Sequence, residues 1–188
     1  PLLVDNSSFN STVYVWDNAA TAYRTHNGQV GDLQDGLVSP FEGFWILAGP
    51  DGGDFAFTEE SIANSYGNAG RSTTVDSTGH AVFTFSDGEH SSSVYLSFNL
   101  QGDVILDPAD ASRLLPLSAG THLTSMFYES GKSLSINNLP YDLSTDISMD
   151  MDVMMLSPVE GGYTTQEQDV TMQWDLSNIP EGMVFTLI

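Results

Sequence analysis

Apolar residues recur at every second position along most of this chain, and that period decides what it can fold into. Val94, Leu96, Phe98 and Leu100 alternate with Tyr95, Ser97 and Asn99. Ile147, Met149, Met151, Val153 and Met155 alternate with Ser148, Asp150 and Asp152. Val170, Met172, Trp174 and Leu176 alternate with Thr171, Gln173 and Asp175. Successive side chains of a strand point to opposite faces, so each run turns one face to a core and one to water. The same reading predicts strands at 12–16, 43–48, 54–58, 81–85, 123–128, 133–137 and 183–187. Turn residues stand between them at Gly49-Pro50-Asp51-Gly52-Gly53, Asp87-Gly88, Gln101-Gly102-Asp103, Ser130-Gly131 and Pro180-Glu181-Gly182.

Many short strands with regular turns predict an all-β protein, an antiparallel β-sandwich of jelly-roll type with minimal helix. The best helical stretch is 107–115, where Asp107 can cap, Pro108 suits the first turn and Asp110 favours the positive end. A further turn or two of helix fits 58–66. Residues 1–63 read as a first β module or half-sandwich, 64–79 as a polar Gly/Ser/Thr-rich seam, and 80–188 as a second module. One continuous sandwich and two packed modules both fit. The chain begins at Pro1 and stops at Ile188 within an apolar run, the expectation being a piece of a longer, processed polypeptide.

Charge narrows the partners. The 188 residues hold 25 Asp+Glu against 4 Lys+Arg, a net charge of −21. Such a chain repels nucleic acid and anionic membrane, which need the bases it lacks. It also repels itself unless salt or bound cations intervene, so a salty or calcium-rich setting is expected. Hydrophobic residues at 40% and aromatics at 11% nevertheless predict a folded core. No apolar run approaches the roughly 20 residues of a membrane helix. With no cysteine, disulfides and thiolate metal sites are excluded, which fits an exported bacterial protein. Asn6-Ser7-Ser8 and Asn10-Ser11-Thr12 match the N-glycosylation pattern, as chance triplets in a Ser/Thr/Asn-rich chain also would.

No nucleophile elbow, phosphate-binding glycine loop, dinucleotide fingerprint or helical zinc motif occurs. His26, His80, His90 and His122 stand singly, and adjacent acids such as Glu59-Glu60 carry little weight among so many. Calcium is the ion to weigh, since it takes oxygens from acidic loops. Its candidate ligands are Asp103, Asp107 and Asp110, with capping by Asp107 the preferred reading of that loop; Asp51 and Asp54 form a weaker pair. Asp146, Ser148, Asp150 and Asp152 share one strand face and read as charges that discourage edge pairing. Met149, Met151 and Met155 fill the core opposite. Tyr14 and Trp16 share a strand face and are the candidates for stacking a sugar, although core packing is the commoner fate of such rings. The run Phe44-Trp45-Ile46-Leu47 is apolar on both faces and predicts a fully buried strand.

Three segments resemble β-sandwich regions of large proteins that Bacteroidota-type bacteria export by type IX secretion. They are Val13-Tyr14-Val15-Trp16-Asp17 running through Tyr23 to Leu37-Val38-Ser39-Pro40-Phe41-Glu42-Gly43-Phe44-Trp45-Ile46, the stretch from Val94 through Leu106-Asp107-Pro108-Ala109-Asp110-Ala111-Ser112-Arg113-Leu114 to Leu134-Ser135-Ile136-Asn137-Asn138-Leu139-Pro140, and 170–188. Arg113 replaces the lysine usual in that pattern. The resemblance implies an extracellular or cell-surface, non-catalytic module that is structural or adhesive. Its expected partners are other domains of a parent chain or other subunits. The scarcity of lysine implies a marine or halophilic host. The alternative is a carbohydrate-binding module that meets polysaccharide beside an enzyme, and a hydrolase built from the acids is the remotest reading.

Overall fold

In the computed structural model, which describes residues 8–57, 77–117 and 120–188, the chain is all-β, with no α-helix among those residues. The strands are β1 (Phe9–Asp17), β2 (Ala22–His26), β3 (Phe44–Ala48), β4 (Gly79–Ser86), β5 (Ser91–Asn99), β6 (Ala111–Ser112), β7 (His122–Glu129), β8 (Lys132–Pro140), β9 (Asp150–Val159), β10 (Gly162–Gln166) and β11 (Thr171–Asn178). A 3-10 turn spans Gln34–Gly36.

Two sheets form. The smaller has the order β2-β1-β3, and the larger runs β10-β9-β7-β8-β5-β4-β11 with β6 laid against β8. The larger sheet is mixed rather than purely antiparallel, because β5 and β8 run parallel from Tyr95 opposite Ile136 to Asn99 opposite Pro140. The β7–β8 hairpin turns on two residues, Ser130 and Gly131, at φ 50° and 78°. Positive φ at both positions matches the twist of the flanking strands.

The larger sheet curls. Phe83 of β4 and Phe127 of β7 meet edge to face at 6.3 Å, although β8 and β5 separate their strands in the ladder. In a flat sheet those strands would stand about 14 Å apart. The crossover from Gln166 to Thr171 points the same way. Four intervening residues span at most about 17 Å, whereas six flat strand spacings would need about 29 Å. The concave face therefore closes on itself around Leu96, Phe98, Leu134 and Met155. The smaller sheet covers the convex side, where fully buried Tyr14 packs with Tyr95, Ala111 and Ile136. Val13 and Val15 point the other way, onto Leu33, Phe44 and Phe55. The result is a sandwich-like fold in which β1 and β5 are buried on both faces.

Several sequence expectations need correction. The stretch 107–115 is a turn followed by β6, not a helix. Asp107 and Asp110 spend their carboxylates on nearby N–H groups, which offers the backbone an alternative to helical hydrogen bonds. Residues 54–57 and 183–187 fall outside the strands of either sheet. β3 is an edge of its sheet, which leaves Trp45 59% exposed instead of buried. By contrast, β10 pairs with β9 only over 155–159, so Asp150 and Asp152 lie on a length of β9 that no other strand flanks on the side away from β7 among the described residues, the place expected for charges that discourage edge pairing. The expected helix at 58–66, the pair Glu59-Glu60, Asn6 and all but the last three residues of the 64–79 seam lie outside the described residues.

Candidate functional site

Gly102 brings the loop after β5 hard against the end of β8, where a Cβ would sit 2.1 Å from the Leu139 carbonyl oxygen. That loop carries the three acids singled out as calcium candidates. Asp107 Oδ1 accepts the Ala109 N–H at 2.7 Å, and Oδ2 accepts the Asp103 N–H at 3.1 Å and Asn138 Nδ2 at 2.8 Å. Asp110, 4% exposed, accepts the Asn138 N–H on Oδ1 and the Asp107 N–H on Oδ2, both at 2.7 Å. Asp103 Oδ1 takes the Ile105 N–H at 3.3 Å. The loop thus brings Asp103, Asp107 and Asp110 together as acceptors for backbone amides. Burial raises the Asp110 pKa to about 6 against the pull of its two N–H partners, and the charges of Asp107 and Glu129 add to the rise. Among the described residues no three His, Asp or Glu side chains gather as a metal site. Asp51 and Asp54 are both exposed.

The same loop anchors a polar network that the sequence reading missed. Asn138 Oδ1 accepts from Ser97 Oγ at 2.8 Å and from Asn99 Nδ2 at 2.7 Å. Asn27 Nδ2 donates to Ser97 Oγ at 3.1 Å and to the Ala109 carbonyl at 3.0 Å. Gln29 Nε2 donates to the carbonyls of Gly79 and Phe98 at 2.7 and 2.9 Å. These bonds clamp the loop after β2 onto the parallel β5–β8 pair. The available signal was Ser97, Asn137 and Asn138 inside otherwise apolar strands, since buried amides occur where they have partners.

The aromatic candidates separate. Tyr14 is fully buried and its hydroxyl pKa is pushed up to about 12, chiefly by desolvation, so it offers no face to a sugar. Trp16 is half-buried and meets Tyr23 edge to face at 5.2 Å and 72°, not as a coplanar platform. Trp45, the cross-strand partner of Tyr14, is the exposed ring on that face. The histidines go to different places. His90 pairs with Asp87 at 3.1 Å, His80 Nδ1 lies 2.9 Å from Asn178 Nδ2, and buried His122 packs against Tyr163. His26 Nδ1 accepts the Gly28 N–H at 3.0 Å.

The feature left open is an edge. β11 ends the larger sheet, and of its residues only Met172 and Leu176 are partly covered, both packing on the concave core. Trp174 shares their face yet is 60% exposed, with no strand beyond it among the described residues. At the other edge stands β10, and a hollow of about 650 Å³ opens beside it, lined by Leu123, Met155, Gln166, Glu167 and Val170 among others. The curl brings both edges to one side of the molecule, joined by the short crossover. Charge there has one sign. From Ser133 to Ile188, the stretch that supplies most of β8 and all of β9, β10 and β11, there are nine Asp and Glu and no Lys, Arg or His. Among the described bases, Arg24 is paired with Asp17, Arg113 donates to the Ser93 carbonyl, and Lys132 opens β8.

No helix among the described residues is long and apolar enough to cross a membrane. No protein-family model, curated protein or solved structure matches the chain.

Proposed function

We propose that the chain is a non-catalytic structural or adhesive module that works by pairing its open sheet edge with a strand from outside. The observation that carries this reading is β11, an eight-residue edge strand whose Trp174 stands uncovered on the core side. Unpaired N–H and C=O groups along such an edge accept an added strand, and native proteins usually blunt or cover them. β11 carries no proline, no lysine and, in its register with β4, one irregularity near its end. The secreted or cell-surface setting, with export by type IX secretion, rests on the residue patterns described above. Sedimentation velocity in high salt, where repulsion between copies is screened, tests the edge directly. The expected result is association of the native chain and a monomer for Trp174→Lys. A native monomer at every concentration, with a sheet edge that nothing fills, would count against it. Hydrolysis of a polysaccharide or peptide abolished by one Asp or Glu substitution would overturn the non-catalytic reading.

A second reading, a polysaccharide-binding module, is favoured by one observation. Trp45 is exposed on the sheet face that also carries Trp16 and Tyr23. Titration with soluble polysaccharides, followed by tryptophan fluorescence and repeated with Trp45→Ala, tests it. No change in either protein removes it.

A further inference from the structure

We propose that the strand accepted at the β11 edge is cationic: an extended segment from a different protein that alternates apolar residues with Lys or Arg. The inference rests on the edge-pairing reading and specifies its partner.

Register sets the alternation. Met172, Trp174 and Leu176 face the concave core, while Thr171, Gln173 and Asp175 face out. A strand laid along β11 places every second side chain over Trp174 and toward the core, where only apolar groups are compatible with burial. Its other side chains emerge beside Asp175 and near the crossover acids Glu167 and Asp169. Asp175 stays ionised, its carboxylate held by Ser177.

Charge selects the class of partner. The strands on both sides of the opening come from the segment with nine acids and no base. A second copy of this chain brings another −21 and is repelled at low and moderate salt. A cationic strand is attracted into the same place, and complementary charge acts mainly on encounter and on the rejection of wrong partners. The backbone of the edge supplies sequence-independent hydrogen bonds, so side-chain charge is what remains to discriminate.

The test uses the full chain and three synthetic peptides of equal length, alternating valine with lysine, with threonine or with glutamate. Hydrogen–deuterium exchange reads protection of the Thr171–Asn178 amides, and fluorescence reads the burial of Trp174 against a Trp174→Phe control. The lysine peptide is expected to protect β11 and to lose affinity as NaCl rises, while the glutamate peptide does nothing. Replacing Asp169 and Asp175 by Asn should weaken the lysine peptide about three- to tenfold and leave the threonine peptide unchanged. Equal binding of the lysine and threonine peptides overturns charge selection while leaving the edge reading intact. Failure of all three to protect β11 overturns the edge reading itself. Self-association that excludes the lysine peptide at low salt makes the partner a second copy, and this inference wrong.

Discussion

Asp110 shows how one buried carboxyl can set a pH dependence without any catalytic role. Its folded pKa, about 6, lies above the ordinary value of 3.8. Between those values the native state holds a proton that the unfolded chain has released, so stability falls as pH rises through the window. The contribution is fully present below about pH 4 and lost above about pH 6, on the order of 3 kcal/mol. Chemical denaturation of the native chain and of Asp110→Asn across that range should show their difference shrinking as pH rises. A constant difference would show that Asp110 is ionised throughout. Phe41 offers a separate test. It is fully exposed at φ 68° in the turn closed by the Glu42 N–H on the Ser39 carbonyl at 3.1 Å. Proline at the second and glycine at the third position suit such a turn, and Phe41 occupies the glycine place after Pro40. Phe41→Gly gives up no buried surface and removes the left-handed strain. It should raise stability by about 0.5–1 kcal/mol after the entropy of glycine is counted. A loss of stability instead would mean that the ring is held by contacts.

Among the strands, burial predicts a steep contrast between centre and edge. β5 is flanked by β8 and β4 and covered on both faces, with Phe98 fully buried. Phe98→Ala should cost about 3–5 kcal/mol in urea unfolding through lost transfer energy and the cavity left behind. Trp174→Ala on β11 should cost less than about 1 kcal/mol, since most of the ring is already in water. Comparable costs at the two sites would mean that β11 is covered in solution. The same contrast explains what was legible in the sequence. Alternation located β1, β3, β4, β5, β7, β8, β9 and β11 because period 2 is a local property. β2 was missed because Arg24 and Thr25 break its apolar pattern, and β10 because Gly162–Gln166 is polar and held by pairing with β9 alone. The segment at 183–187 has the strand period without a strand's hydrogen bonds. Met183 and Phe185 pack on the concave core, and Phe185 meets Phe83 at 5.9 Å. Period reports which side chains are buried and not which backbone is paired. For the same reason the acid loop could be recognised as a cluster, but not as a set of acceptors for the amides of Asn138, Ala109 and Asp103.

For the whole molecule, the distribution of charge matters more than its sum. With no base after Lys132, carboxylates on the later strands have no local counter-charge and act on one another across the curled sheet. The screening length is about 30 Å at 0.01 M salt and about 8 Å at 0.15 M. At low salt the repulsion therefore spans the sheet, and at higher salt it reaches only near neighbours. Repulsion disfavours the compact state more than the expanded one, so the melting temperature should climb as NaCl is raised from about 0.01 to about 0.5 M. Calcium and sodium compared at equal ionic strength separate screening from binding. Because Asp103, Asp107 and Asp110 already hold backbone amides, screening alone predicts that the two salts act alike once valence is allowed for. A calcium-specific rise that disappears in Asp107→Asn would instead place an ion in that loop, with its carboxylates serving metal and amide together. A melting temperature insensitive to either salt would mean that the acids lie far enough apart in the folded chain for their repulsion to be no greater than in the unfolded one.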